Sequence, residues 1–136
     1  MSELQYLAGF FDGEGCISIH RHQDKKTKRG YVLVPRITVA NTRQEVVEWF
    51  KPFGFSVRRT KNGKNSKDVY RIELERLSVI QRFLQELSPF LRLKKKQADL
   101  LLEFCSSRLE DKTYCYTQRE LKIRDELSEL NMRGVY

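Results

Sequence analysis

One ten-residue stretch, Tyr6 to Gly15 (Y-L-A-G-F-F-D-G-E-G), constrains this chain more than any other. Leu4, Leu7, Ala8 and Phe11 recur at helical spacing, so the stretch reads as an apolar helix ending in two acids, each followed by glycine. Gly9 and Gly13 lie four apart on another face. Each costs a helix roughly 1 kcal/mol relative to alanine. A sequence that keeps two such residues needs a backbone to approach something closely, and a second helix is the natural candidate. Glu14 falls at the helix C-terminus, where the negative end of the macrodipole disfavours a carboxylate. An acid held in that field is a candidate cation site.

A length of 136 residues suits one domain with a real core. The expected organisation is a single unit over 1–136, with a core from about residue 3 to 105 and a C-terminal helical tail over 106–136. No apolar run is long enough to span a bilayer and no signal-peptide layout opens the chain, so a soluble protein with no membrane partner is expected. Cys16, Cys105 and Cys115 are odd in number and lack C-x-x-C pairing, which favours reduced thiols and an intracellular location. Cys16, His20 and His22 have no second ligand pair at zinc spacing, so they read as strand residues.

The net charge of +8 is concentrated. His20–Arg36 holds six Lys/Arg against one Asp, and Lys51–Lys67 holds six with no acid. Both runs fall in strand-and-turn sequence, which fits a surface for a polyanion, nucleic acid first.

Taken in order, Cys16–His22 alternates as a strand with Ile17 and Ile19 inward, and 23–30 is a basic turn. Tyr31–Asn41 is a second strand with Leu33, Ile37 and Val39 inward; Pro35 suggests an edge, bend or bulge. Thr42 is placed to cap a helix over Gln44–Phe50, in which Trp49 and Phe50 read as core. Phe55–Lys61 and Val69–Glu75 form a hairpin around Asn62-Gly63, with Val57, Tyr70, Ile72 and Leu74 inward. Amphipathic helices follow at Leu77–Leu87, from Lys94 through Phe104, and from about Thr117 to Asn131. The expected class is α+β, in the order αββαββα plus C-terminal helices. A four-stranded antiparallel sheet carries helices on one face and a basic, polar surface on the other.

Leu7–Gly15 resembles the LAGLIDADG homing endonuclease motif at nearly every position, and Ser88–Leu100 (S-P-F-L-R-L-K-K-K-Q-A-D-L) resembles the segment carrying that family's active-site lysine. The single-motif, intron-encoded members of chloroplasts and mitochondria look closest, which makes those organelles the expected location. The resemblance implies that the motif helix, through Leu7, Ala8, Gly9, Phe11 and Asp12, is a homodimer interface. It implies that Glu14 binds the catalytic metal, with the Gly13 carbonyl sharing it, and that Asp12 is the more structural acid. It further implies that Lys94 polarises water or stabilises charge, and that Asn41 orders active-site water. Glu45 departs from the family pattern, standing where some relatives carry a base that Arg43 could replace.

One motif per chain supplies one acid, whereas cutting two DNA strands needs two sites. A C2 homodimer with paired motif helices meets that need. Two Glu14 carboxylates about 6 Å apart repel by roughly 3 kcal/mol at an effective dielectric of about 20. Divalent cations relieve this, and hard oxygen ligands select Mg²⁺, with Mn²⁺ as a substitute. The expected reaction is metal-assisted phosphodiester hydrolysis. The resemblance implies a staggered double-strand cut with 3′ overhangs in a long, pseudo-palindromic double-stranded DNA target.

Strand parity assigns Ser18, His20, His22, Arg36, Thr38, Arg58, Thr60, Arg71 and Glu73 to a face that reads base edges in the major groove. Lys25, Lys26, Lys28, Arg29, Lys61 and Lys64 are assigned to the phosphate backbone. Two rival functions carry the same fold: an intron RNA maturase, and a DNA-binding regulator that has lost cutting.

Overall fold

The computed structural model describes residues 2–60, 68–110 and 115–132. Helix α1 spans Glu3–Glu14; β1 (Gly15–Gln23) and β2 (Tyr31–Asn41) form the first hairpin, and α2 (Gln44–Phe50) runs into a 3-10 turn over Lys51–Phe53. Strands β3 (Ser56–Thr60) and β4 (Val69–Leu74) pair next, and α3 (Leu77–Leu87), α4 (Lys95–Glu110) and α5 (Gln118–Met132) complete the order. The sheet is antiparallel throughout, in the order β1-β2-β4-β3. The αββαββα expectation holds, as do the bounds of β2, α2 and α3. The Asn62-Gly63 turn lies outside the described residues.

Local chemistry explains the helix starts. Ser2 Oγ accepts the Gln5 N–H while Gln5 Oε1 accepts the Ser2 N–H, a reciprocal capping box. Thr117 and Glu120 do the same for α5: the Glu120 N–H donates to Thr117 Oγ1 at 3.0 Å and the Thr117 N–H to Glu120 Oε1 at 2.8 Å. The N-cap of α2 is Arg43 and not Thr42. Asn41 Oδ1 accepts the Arg43 N–H at 2.8 Å, so the turn that enters α2 is closed one residue earlier than expected.

Pro35 causes no bulge. The β1–β2 register runs unbroken from Gly15↔Val39 to Gln23↔Tyr31, with Pro35 buried opposite Ile19. The β2–β4 ladder ends at Ile37↔Leu74, so at Pro35 the strand pairs with β1 alone and the missing N–H costs no second ladder bond.

The core lies between the sheet's inner face and α1, α3 and α4. Phe83 is its centre, with the rings of Phe55, Phe53 and Phe11 edge-on at 5.0, 5.2 and 5.4 Å. From α5, Ile123 and Leu127 are fully buried in the same cluster, and Asn131 Nδ2 donates to the Ile17 carbonyl. Trp49 departs from expectation: it is 38% exposed, with Tyr6 and Phe10 meeting its ring edge-on at 5.6 Å. In α2, Val46, Val47 and Phe50 fill the inward stripe, which leaves Trp49 on the flank beside α1. Val57 lies on the inner parity opposite Ile72, yet is exposed because β3 is the sheet's edge.

Gly15, where α1 ends and β1 begins, is required by space and not by backbone angle. Its φ is −83°, open to any residue, but a Cβ there would stand 2.3 Å from Cε2 of the buried Phe11 ring. Gly15→Ala should therefore destabilise the fold by about 1–3 kcal/mol through overpacking. Thermal unfolding followed by circular dichroism checks this; an unchanged Tm would show that the Phe11 ring can move aside.

Candidate functional site

The C-terminus of α1 and the N-terminus of α4 meet at Asp12. This acid is 7% exposed, and its carboxylate accepts the backbone N–H groups of Arg92, Leu93 and Lys94 at 2.8–3.0 Å. These donors belong to the three residues that lead into α4, of which only Lys94 adjoins the helix, so Asp12 pins the entry to α4 from some eighty residues away in sequence. Burial pushes the Asp12 carboxyl upward, but the three N–H donors and the Lys94 charge outweigh it and hold the group below its ordinary value.

Lys94 is 2% exposed, and its Nζ donates to the Asp12 main-chain oxygen at 2.6 Å. A cation thus sits on a carbonyl at the end of α1, where the helix dipole favours positive charge. Burial lowers the Lys94 ammonium, while Asp12, Cys16 and Glu14 all act in the opposite direction. Glu14, the last residue of α1, is exposed and accepts no hydrogen bond among the described residues. The last intrahelical bond runs from the Gly15 N–H to the Phe11 oxygen, so the Gly13 carbonyl lies past the helix's own donors. Asn41 lies two residues beyond Val39, the partner of Gly15, and its Oδ1 is already engaged by Arg43. Arg43 and Glu45 pair with each other at 3.0 Å on the surface.

A free carboxylate beside a main-chain carbonyl is a hard oxygen donor set, which fits Mg²⁺ or Mn²⁺. No group of three or more His, Cys, Asp or Glu capable of holding a metal occurs among the described residues. Of the two acids that end α1, Asp12 is engaged by backbone N–H groups and Glu14 is exposed.

Of the five residues assigned to the dimer interface, the structure leaves only Gly9 facing outward. Leu7, Ala8 and Phe11 are buried in the chain's own core, and Asp12 is spent on α4. The reason is helical period: positions 4, 7, 8 and 11 form the stripe that the chain's own sheet and helices take. Positions 5, 6, 9 and 13 remain outside. A Cβ built at Gly9 or Gly13 meets nothing within 4 Å, so neither glycine serves packing inside this chain. The exposed side chains of Tyr6, Phe90 and Leu93 extend that surface.

The register places Ser18, His20, His22, Arg36, Thr38, Arg58, Arg71 and Glu73 on the outer face of the sheet, with Ser18 opposite Arg36 and Thr38 opposite Glu73. Thr60 shares that register by its backbone, opposite Val69. Arg58 and Arg71 are directly opposite each other, with no ion pair to either among the described residues. Like charges so placed repel, and a bound polyanion removes that cost. Arg36 is held by Glu75 at 3.3 Å. Burial, then the charges of Arg36 and His22, push His20 below its ordinary value, so at neutral pH it is an uncharged donor and acceptor.

Lys25, Lys26 and Lys28 are exposed at the β1–β2 turn, as their phosphate assignment requires. Arg29 is not free for that role: its Nε donates to the Tyr31 oxygen at 2.6 Å and its guanidinium lies 4.4 Å over the Tyr116 ring. Lys61 and Lys64 lie outside the described residues. Tyr116 was not anticipated, although the T-Q-R-E capping box after it was readable in the sequence.

The profile of the family described as LAGLIDADG endonuclease matches residues 7–106. The DNA endonuclease I-CreI of Chlamydomonas reinhardtii is 33% identical over 102 residues, which is 74% of this chain and 60% of that protein's length. Among solved structures, the archaeal intron-encoded homing endonuclease I-Vdi141I, complexed with DNA, gives a TM-score of 0.78 at 19% identity, over 93% of this chain and 82% of that one. The homing endonuclease I-CvuI, bound to its target in the presence of calcium, gives 0.73 at 21% identity, over 98% and 91%. At such identities these two likenesses establish a shared fold.

Proposed function

Since the chain belongs to the LAGLIDADG endonuclease family, we propose that it is a site-specific DNA endonuclease that acts as a homodimer and makes a divalent-metal-dependent, staggered double-strand cut. The observation that carries this reading is the junction of α1 and α4. An exposed Glu14 with unused oxygens stands beside a buried Lys94 ammonium, at the head of a sheet whose outer face gathers the polar residues. A regulator would need no such pairing. The relatives named above are DNA endonucleases, so the RNA reading gains no support.

Each residue at the junction has a distinct task. Glu14, with the Gly13 carbonyl, would hold the Mg²⁺. When bound, that ion supplies Lewis-acid stabilisation of the phosphate and lowers the pKa of water. Lys94 places a fixed positive charge where the leaving oxygen develops negative charge, and burial keeps it from being screened by water. Asp12 sets the position of Lys94 by binding its backbone N–H and those of the two residues before it. The exposed stripe of Gly9 and Gly13 lets a second α1 approach closely about a two-fold axis, which brings two Glu14 side chains together.

The outer sheet face would read base edges, with Arg58 and Arg71 placed for guanine and Glu73 for cytosine. Lys25, Lys26 and Lys28 would hold phosphates beside it.

The test is cleavage of a randomised palindromic target library by the purified chain, with Mg²⁺ or with chelator, alongside its mass in solution. The expected result is 3′-overhang products in Mg²⁺ only, from a species of twice the chain mass. Tight DNA binding with no cutting in Mg²⁺ or Mn²⁺ would favour the regulator instead.

A further inference from the structure

Beyond Ile37 the β1–β2 hairpin leaves the sheet: β2 residues 31–36 pair with β1 alone, because the β2–β4 ladder ends at Ile37↔Leu74. A two-stranded ribbon is marginal by itself in water. This ribbon carries Ser18, His20, His22 and Arg36 along its outer face and Lys25, Lys26 and Lys28 at its tip. Its base is held by α5, where Asn131 Nδ2 donates to the Ile17 carbonyl, and Ile19 and Leu33 join the core. Something further must fix the stretch toward the tip.

Tyr116 is placed to do so. Its hydroxyl accepts the Leu33 N–H at 2.8 Å, on the side of β2 that β4 no longer covers. Its ring stacks on Tyr31 at 6.0 Å with planes 20° apart. Arg29, just past the lysines, lies 4.4 Å over the Tyr116 ring, and Arg21 lies 4.0 Å over Tyr31. Strand β2 and the turn are thus tied directly to one side chain, and β1 is joined to it through Arg21 on Tyr31. That side chain is itself anchored. The next residue, Thr117, is locked to Glu120 by the α5 capping box. The fully buried Glu120 also receives Ser107 Oγ at 2.7 Å and Arg108 Nη1 at 3.4 Å.

We propose that Tyr116 is a positioning residue for target DNA, a fixed post on the helical tail that sets the angle at which the β1–β2 ribbon and its tip lysines meet the duplex. The proposal rests on the DNA-endonuclease reading above. It assigns the tail a part in recognition, although Tyr116 itself touches no DNA in this scheme.

A coupling experiment separates positioning from simple support of the fold. Tyr116→Phe keeps the ring and removes the acceptor for Leu33, while Tyr116→Ala removes the whole post. The tip is neutralised by Lys25→Gln, Lys26→Gln and Lys28→Gln together. Tyr116→Ala should weaken target binding about tenfold and Tyr116→Phe about threefold, on the scale of one or two lost contacts. The single-turnover rate at saturating DNA should stay within about twofold, because the reacting groups are elsewhere. With the tip neutralised, the same Tyr116 substitutions should cost less than about twofold more, since residues that act as a unit do not add. Tyr116→Phe carries the test if Tyr116→Ala fails to fold. Fully additive effects, or unchanged affinity in folded Tyr116→Phe, would overturn the proposal alone. A wild-type chain that binds no DNA would overturn the endonuclease reading with it.

Discussion

Glu14→Gln is expected to reduce cleavage in Mg²⁺ by about a thousandfold or more, on the scale of losing a metal and the transition-state charge it stabilises. The substitution is nearly isosteric. Its site is exposed and takes no hydrogen bond among the described residues, so the fold should be unaffected to within about 0.5 kcal/mol. Removing negative charge from the C-terminus of α1 also relieves an unfavourable dipole interaction. Binding of uncleaved target should therefore persist or tighten, because a carboxylate facing phosphate has gone. The decisive measurement is single-turnover cleavage beside affinity in the same preparation. Full cleavage by Glu14→Gln at the wild-type rate would remove Glu14 from the active site. Mixed dimers sharpen the result: if each copy supplies one Glu14, one wild-type subunit paired with one Glu14→Gln subunit should not make the normal double-strand break.

How much of this was legible beforehand depends on whether neighbours in sequence or neighbours in space fix a residue. The order of elements and the strand faces follow from period-2 and period-3.6 patterns, which are local. So the outer face from Ser18 to Glu73 came out on one side of the sheet as parity required. Side chains whose partners lie far away did not yield to such reasoning. Lys94 stands out from its two lysine neighbours only through the family resemblance; nothing local in the sequence shows that the fold buries it against an α1 carbonyl. Arg29 reads as one more tip cation, and Tyr116 draws it inward. Trp49 reads as core by its chemistry, but α2 is short and its inward stripe was already full. The motif helix α1 is a related case. A motif reads as one block, whereas a helix divides it between two surfaces, here a buried stripe and an exposed one that carries the glycines.

Asp12→Asn carries the second large effect, because one carboxylate ties the motif helix to the segment that enters α4. The amide keeps an acceptor oxygen but turns an N–H₂ toward three backbone N–H donors, and loses the charge that strengthens those bonds. A loss of about 2–4 kcal/mol is expected, typical of a buried charged acceptor left partly unmatched. The sign of its pH dependence follows from the depressed carboxyl. A group held lower in the folded state than in the unfolded one stabilises fully above the unfolded value, near 3.8, and loses that contribution as pH falls through the lower folded value. The stability gap between wild type and Asp12→Asn should thus be constant from neutral pH down to about pH 5 and close below about pH 4. Urea unfolding across that range measures it. A gap that stays constant at low pH would mean the Asp12 charge contributes nothing. At neutral pH, the folded fraction of Asp12→Asn should also cut DNA more slowly while binding it normally, because the start of α4 and Lys94 are no longer held against α1.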